Sequence, residues 1–268
     1  MLFIYIYSIM NRFSNIPKLM VAPNGARKSR KDHPNLPITI SEIVQEAKNC
    51  FQKGANAIHA HVRDQEGNHS LDIGLYKELL IELKTKVPDL PVQITTEAVG
   101  KYSPEDQINV VERIIPEAAS VALVEMMPDK KDTKLAKKFY NSSIESNIQI
   151  QHILYSVNDL RVFIHLLKNK IIPQQNLQVL YVLGRYEKNF QSNTNHLDSF
   201  LLEHKSILTS IDWGVCAFGK AETECLIKAF SLGGKLRVGF ENNFYNKDGS
   251  IAETNADRVS EIVKLINV

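Results

Sequence analysis

Short β-branched runs alternate with longer amphipathic segments along almost the whole of this chain, and this alternation leaves few architectures open. Eight runs have the length and composition of buried strands. They cover residues 18–23, 56–62, 91–97, 119–124, 148–154, 177–183, 210–218 and 235–241. Because the segments between them are long enough to cross back over a sheet, the pattern indicates parallel βαβ units.

Several of the intervening segments have the signature of an amphipathic helix. In the clearest, residues 40–54, Ile43 and Ala47 share one face, Ser41 is the predicted N-cap and Gly54 the predicted C′ residue. Similar segments cover residues 75–87, 103–115, 157–170, 221–234 and 254–268.

Two α/β architectures accommodate eight such units, a closed barrel and an open doubly wound sheet. A dinucleotide-binding sheet would carry GxGxxG after its first strand, whereas this chain has NGARKS there. Polar residues gather at the carboxyl ends of the runs, where barrel enzymes carry their sites. We therefore predict an α/β fold of the (β/α)₈ TIM-barrel class, with residues 18–268 as a single catalytic domain.

Residues 1–17 are predicted to be an N-terminal extension. Its first ten residues, MLFIYIYSIM, are apolar but lack a basic n-region and a small-residue cleavage site. They are also too short to cross a bilayer, which takes about 20 residues. We interpret them as an upstream mis-start, with Met10 as the working initiator, or as a tail on the protein surface, and expect no membrane partner.

The charged residues number 32 basic and 30 acidic, and the basic ones are scattered, so the chain lacks the footprint of a nucleic-acid-binding protein. A small-molecule partner is expected instead. The three cysteines, Cys50, Cys216 and Cys225, form no CxxC pair, so neither a disulfide framework nor a thiolate zinc site is indicated. This cysteine usage favours a reducing, cytoplasmic location.

The segment HAHVRD at 59–64 is the strongest chemical signal. Side chains two apart on a strand point to the same face, so His59 and His61 are within reach of one metal ion. The alternative is that one or both are hydrogen-bonded core histidines, which is our interpretation of the lone strand histidine His152.

A third ligand is expected from the last run, because closure of the barrel brings the eighth predicted strand within two places of the second. Glu241 in RVGFENN is the best candidate, although it could instead cap the following turn. Arg237, four residues earlier, shares its face and would lie beneath it. That guanidinium is suited to binding a carboxylate, or to a buried ion pair within the barrel.

The third and fourth runs offer further polar groups to the same cavity. Thr95, Thr96 and Glu97 end the third run, and Ser120 lies in the fourth. Threonines are common in strands, so the hydroxyls alone prove little.

Two loops carry possible anion contacts. The loop APNGARKSRKDH has Gly25 for a turn and a close approach of the backbone to a ligand, and Arg27, Lys28 and Arg30 for an anion, unless it is simply a solvated loop. After the seventh run, Gly219 and Lys220 precede a helix, where barrels often bind the phosphate of a cofactor.

These motifs together resemble the beta-keto acid cleavage enzymes, the family of the 3-keto-5-aminohexanoate cleavage enzyme. The matching segments run in order from about residue 18 to residue 268. They are APNGA, HPNLP, IHAHVRD, QITTEAVG, LYVLG, WGVCAFG and GGKLRVGFENN. The resemblance implies a zinc-dependent barrel, with another divalent metal as an alternative, and a homo-oligomer, a tetramer or a dimer. It also implies a reaction in which a β-keto acid and the cosubstrate acetyl-CoA give a new acyl-CoA and acetoacetate.

The resemblance also implies roles for individual residues. The metal ligands of the family fall on His59, His61 and Glu241, and its active-site arginine falls on Arg237. Its serine falls on Thr95. The substrate contacts are expected from three further positions, Asn24, Arg27 and Ser120.

Two departures from the family pattern concern the chemistry. Asn242 stands where the characterised member has an aspartate thought to act as the base, and an amide cannot accept that proton. We hypothesise that Glu97 supplies the missing base. Arg27 replaces an acidic residue that resembles the reader of a substrate ammonium, so a neutral or anionic substrate side chain is expected.

Two other functions remain open at this point. A metal-dependent hydrolase on the same barrel would also use a strand-borne HxH to activate water. A dinuclear version would need further histidines and an aspartate on later strands, where this chain offers only His152. Loss of the base at Asn242 would instead suit a non-catalytic binding protein.

Overall fold

In the computed structural model, which describes residues 11–129, 133–185, 187, 189, 191–207 and 209–266, eight parallel strands close into a barrel. The barrel strands are β1 (Leu19–Val21), β2 (Ala57–Ala60), β5 (Val92–Thr95), β6 (Ala118–Ala122), β7 (Gln149–Leu154), β8 (Gln178–Leu183), β9 (Asp212–Ala217) and β10 (Lys235–Val238). Each pairs with its neighbours in chain order, and β10 closes the ring by pairing with β1. The predicted (β/α)₈ barrel is confirmed.

Helices surround the barrel. They are α1 (Ile40–Gln52), α2 (Ile73–Lys86), α3 (Pro104–Ile114), α4 (Leu123–Met126), α5 (Lys134–Glu145), α6 (Val157–Lys168), α7 (Thr194–His204), α8 (Glu222–Ser231) and α9 (Asn255–Ile266). The predicted helix at 40–54 is present, but Ser41 is not its N-cap. Thr39 caps it through a capping box with Glu42, since the extended backbone at Thr39 lets its side chain accept from the Glu42 N–H. Gly54 has φ +103, as its predicted C′ role requires.

Six of the eight predicted strands end earlier than their sequences suggest, and two of these early ends leave a candidate ligand beyond the strand. β2 stops at Ala60, so His61 lies just beyond it, before the short strand β3 (Val62–Arg63). β3 pairs antiparallel with β4 (His69–Ser70), which forms a small hairpin beside the mouth of the barrel. β10 stops at Val238, so Glu241 lies in the following turn and not on the strand.

The main apolar core lies between the barrel and the helices. Outward-facing strand residues such as Ile58 and Val179 pack there against helix residues such as Leu79 and Phe163. His152 also faces this layer, with its ring 5.0 Å from that of Tyr140 and 4.9 Å from that of Phe163. Its expected place in the core is thus observed.

Residues 1–10, interpreted above as a mis-start or a surface tail, lie outside the described residues. Among the helices that the structure does describe, none combines the length and apolar character needed to span a membrane.

Candidate metal centre and active site

Two buried histidines and a partly buried glutamate converge at the carboxyl end of the barrel. The Nε2 atoms of His59 and His61 are 3.0 Å apart. Oε2 of Glu241 lies 3.6 Å from His59 Nε2 and 3.3 Å from His61 Nε2. Across the described part of the chain, these residues are the one group of three or more histidine, cysteine, aspartate or glutamate side chains placed to hold a metal ion.

The spacing of these three atoms fits a tetrahedral ion. Ligand atoms about 2.0–2.1 Å from a tetrahedral zinc ion are separated from one another by roughly 3.3 Å. The Oε2 atom of Glu241 is buried and lacks a hydrogen-bond partner among the described residues, which is costly for a carboxylate unless a cation satisfies it. The two imidazoles and the carboxylate are therefore arranged as a His₂Glu ligand set.

His59 is oriented by a residue on the adjacent strand. Its Nδ1 lies 2.8 Å from Oε1 of Gln93, which is its register partner on β5. When Nδ1 donates to that oxygen, Nε2 keeps its lone pair for a metal. Burial lowers the pKa of His59 to about 3, so the imidazole is neutral at physiological pH.

Glu241 is held from below by Arg237, whose guanidinium donates to its Oε1 at 2.8 Å. Burial opposes ionisation of the carboxyl, but the charge of Arg237 holds the pKa of Glu241 well below its ordinary value. The predicted proximity of Arg237 and Glu241 is thus observed as a direct contact, although Glu241 lies in the turn after β10 and not on a shared strand face. Nε and NH1 of Arg237 have no partner within the described chain, so two donor groups remain under the cleft.

Gly25 packs closely against the side chain of Glu241, the carboxylate ligand. It has φ +61, and a Cβ at this position would lie 2.5 Å from Cγ of Glu241. This position therefore requires glycine both for its backbone conformation and for the close approach of the loop.

Gly25→Ala is expected to weaken metal binding by about 10- to 100-fold, the range for changes that disturb the support of a ligand. The added methyl group must displace Glu241 from the histidines. Competition with a chromogenic zinc chelator measures the affinity. Gly100→Ala is the matched control, because Gly100 also has positive φ but a Cβ there meets no atom within 4 Å. Equal affinities of the two variants would contradict the role of Gly25.

The metal ligands lie at the bottom of a cleft of about 650 Å³. Most of the residues singled out from the sequence line it, and so do several others. The lining includes Asn24, Gly25, Arg27, Lys28, His59, His61, Thr95, Glu97, Ser120, Glu125, Tyr155, Arg185, Phe218, Arg237 and Glu241.

Two hydroxyls and an amide lie in the inner part of this lining. Thr95 and Ser120 are paired in register on β5 and β6. The Thr95 hydroxyl accepts from the Glu97 N–H, while the buried Ser120 hydroxyl has no partner among the described residues. The side-chain amide of Asn24 donates to the His61 carbonyl at 3.1 Å. The Oδ1 atom of Asn24 has no hydrogen-bond partner among the described residues.

Cationic groups surround the outer part of the cleft. Glu97 lies between two arginines, 3.2 Å from Nε of Arg27 and 4.0 Å from NH2 of Arg185. Lys28 donates to the Phe240 carbonyl at 2.7 Å, and burial lowers its pKa to about 8. Arg30, which the sequence grouped with Arg27 and Lys28, pairs instead with Glu42 and is absent from the lining.

Besides Arg30, four residues singled out from the sequence do not line this cleft. One of them, Thr96, was expected to offer its hydroxyl to the cavity but donates it to the Ser120 carbonyl at 2.9 Å. Gly219 and Lys220 lie outside the lining, with the Lys220 ammonium 4.7 Å from the centre of the Tyr245 ring. Asn242 is buried next to the ligand Glu241, and both polar atoms of its amide lack described partners. The roles assigned to Gly219, Lys220 and Asn242 stay predictions.

Sequence reasoning missed Arg185, Gln93 and Glu125. Arg185 could have been found, because it follows Gly184 at the carboxyl end of a strand, where barrel sites lie. Gln93 becomes visible only when the register with His59 is known. Glu125 lies on the short helix α4, which breaks the regular strand-to-helix spacing.

Comparison with known proteins identifies relatives across nearly the whole chain. A model of the beta-keto acid cleavage enzyme family matches residues 18–268. The 3-keto-5-aminohexanoate cleavage enzyme of Fusobacterium nucleatum is 25% identical over 248 residues, which cover 90% of this chain and 88% of the relative. The enzyme of that name from Acetoanaerobium sticklandii is 27% identical over 246 residues, with the same coverage. The 3-oxoadipate:acetyl-CoA acetyltransferase of Cupriavidus necator is 22% identical over 259 residues, or 92% of this chain and 87% of the relative.

Solved structures support the fold. The binary complex of ObcA with oxaloacetate matches with a TM-score of 0.68 at 13% identity, covering 86% of this chain and 63% of that one. The chain therefore spans less than two thirds of ObcA. A type I 3-dehydroquinate dehydratase from Clostridium difficile matches with a TM-score of 0.62 at 12% identity, over 94% of this chain and 91% of the other.

Proposed function

Because this chain belongs to the beta-keto acid cleavage enzyme family, we propose that it is an enzyme exchanging acyl groups between a β-keto acid and acetyl-CoA. The bond between C2 and C3 of the β-keto acid breaks, and its acyl part passes to CoA as a new acyl-CoA. The remaining two-carbon unit with its carboxylate takes the acetyl group and leaves as acetoacetate. The cleft that joins the His₂Glu cluster to arginines carries this proposal.

The proposed metal is zinc, held by His59, His61 and Glu241. Zinc accepts two imidazoles and a carboxylate and leaves a position open, although such sites also accept other divalent ions. When bound, the ion would supply Lewis-acid polarisation of the β-keto carbonyl.

The residues around the ligands orient the substrate. Arg237, with two donor groups unengaged by described residues, would bind the substrate carboxylate. Thr95 already accepts from the Glu97 N–H, so its hydroxyl proton is available to a developing oxyanion. Ser120 and Asn24, each with an unpartnered polar atom in the described structure, would complete the contacts to the substrate.

Glu97 is the proposed general base. Its carboxylate lines the cleft, whereas Asn242 in the position of the family's aspartate cannot accept a proton. Gly219 and Lys220 remain our proposed contacts for a phosphate of the acetyl-CoA cosubstrate, since they precede α8 at the same end of the barrel.

A panel of β-keto acids with acetyl-CoA, assayed for acetoacetate and new acyl-CoA, tests the proposed reaction. Elemental analysis of the same preparation tests the metal. Cleavage of a β-keto acid to a carboxylic acid and acetate without acetyl-CoA would favour a metal-dependent hydrolase, and bound metal with no turnover on any member of the panel would favour a non-catalytic relative.

The substrate is expected to carry a neutral or anionic side chain. Arg27 and Arg185 both line the outer cleft, and a substrate ammonium there would meet two like charges. We compare kcat/KM for an aminated β-keto acid with kcat/KM for a carboxylated one. Arg27→Glu should raise the ratio of the first to the second by at least about tenfold. Arg27→Gln, which removes the charge without reversing it, should give a ratio between those of the unmodified enzyme and Arg27→Glu. Preference of the unmodified enzyme for the aminated substrate would reject this expectation.

We also propose that residues 18–268 are one catalytic domain, that the enzyme is cytoplasmic and that it is a homo-oligomer. The three cysteines are free and buried, which suits a reducing compartment. Light scattering of the purified protein tests the oligomeric state.

A further inference from the structure

Arg63 makes an unusual set of contacts for a buried cation. It lies two residues after the metal ligand His61 and is 8% exposed. Its NH2 donates to the carbonyl oxygens of Gly25, Lys28 (3.0 Å) and Asn24 (3.4 Å). NH1 donates to the Gly67 carbonyl at 2.9 Å. All four hydrogen bonds described for this side chain end on backbone carbonyls.

Three of these carbonyls belong to the loop of residues 24–28, which follows β1. A surface loop of this kind has no sheet partners for its backbone groups and is mobile unless other contacts hold it. A planar guanidinium has five donors in a fixed fork and can therefore hold several carbonyls in one arrangement. Arg63 itself lies on β3, and the fourth carbonyl, that of Gly67, lies in the turn between β3 and β4, so the side chain joins the loop to this hairpin.

The same loop supports the site in two ways. Gly25 packs against Glu241, where an added Cβ would lie 2.5 Å from Cγ of that ligand. Arg27 and Lys28 line the outer cleft. A displacement of the loop would therefore disturb both the metal-binding carboxylate and the charges that face the substrate.

We infer that Arg63 is a positioning residue that holds loop 24–28 against Glu241 and fixes Arg27 and Lys28 at the cleft. The inference rests on the proposed metal site and substrate cleft, but its metal-binding consequence does not depend on the acyl-exchange reaction.

Arg63→Met tests the inference, because methionine fills part of the space and donates no hydrogen bond. Zinc affinity, measured by competition with a chelator, is expected to fall about 10- to 100-fold. KM for the β-keto acid is expected to rise by a larger factor than kcat falls, since the groups that touch the substrate remain present but are less well placed. Trypsin should also cut faster within residues 27–31, which contain four basic residues, with the cleavage sites mapped by mass spectrometry.

Two further variants make the result decisive. Arg161→Met removes an exposed arginine paired with Glu203, far along the chain on α6, and should leave all three measurements unchanged. Arg63→Lys keeps the charge, but a single ammonium cannot span four carbonyls. Its zinc affinity, kinetic constants and rate of proteolysis should therefore be close to those of Arg63→Met. If the methionine variant fails to fold, Arg63→Lys serves as the test in its place. Recovery of unmodified affinity and proteolysis by Arg63→Lys, or unchanged values in Arg63→Met, would overturn the inference. Failure of the unmodified protein to bind zinc would instead overturn the proposed metal site.

Discussion

Glu241→Gln is expected to abolish metal retention and acyl exchange together. The amide cannot supply the anionic oxygen that now lies 3.3 Å and 3.6 Å from the two imidazole Nε2 atoms. Since disturbing only the support of a ligand costs about 10- to 100-fold in metal affinity, loss of the ligand itself should cost more than about 100-fold. We expect kcat/KM to fall below about 1% of its original value, because the Lewis acid is lost. Elemental analysis after gel filtration and the acetoacetate assay measure the two effects.

The ion pair between Arg237 and Glu241 means that a loss of stability must be distinguished from a loss of metal binding in this experiment. Removing the Glu241 charge leaves a buried guanidinium without its carboxylate, a situation that destabilises a protein by about 3–5 kcal/mol. The thermal midpoint of each variant must therefore be recorded. Glu241→Asp keeps the charge and shifts the ligand by one methylene group, and Glu203→Gln removes a carboxylate from a surface pair. Metal bound as tightly by Glu241→Gln as by Glu203→Gln would show that the ion is held elsewhere.

The barrel could be predicted from the sequence because strands buried on both faces form near-continuous apolar runs. The bounds of those strands could not. In RVGFE, alternation along one strand predicts that Arg237 and Glu241 share a face, and the two side chains are indeed bonded. The chain nevertheless leaves the strand at Gly239, where φ is +142 and a Cβ would lie 2.4 Å from the Ala22 carbonyl. Only tertiary contact with Ala22, the residue after β1, reveals this constraint.

Gln93 and Arg63 were missed because their roles depend on contacts between segments that are far apart in the chain. Gln93 supports His59 only because β5 pairs with β2 in one register. Arg63 donates hydrogen bonds to a loop that is distant in the sequence. The loop residue closest to it in the chain, Lys28, is 35 positions away. The ligand pair His59 and His61, in contrast, is local: two side chains separated by one residue face the same way whether the strand continues or not.

Glu97→Gln is expected to lower kcat by about 10²- to 10⁴-fold, the contribution of a positioned general base. Metal content should stay unchanged, since Glu97 is not one of the three residues placed to hold the ion. The substitution is conservative for the backbone, because the Glu97 N–H and carbonyl keep their bonds to Thr95 and His69. Stopped-flow measurement of a single turnover separates the chemical step from product release.

The two arginines beside Glu97 provide the competing explanation, in which the carboxylate only orders Arg27 and Arg185 at the mouth of the cleft. In that case Glu97→Gln would change KM for an anionic substrate and leave kcat intact, and the relocation of the base would be wrong. A second substitution sharpens the choice. Asn242→Asp, introduced into the Glu97→Gln enzyme, returns a carboxylate to the position where the family resemblance places the base. If Glu97 has taken over proton transfer, kcat of this double variant should be at least about tenfold higher than kcat of Glu97→Gln, since a restored base can again accept the proton.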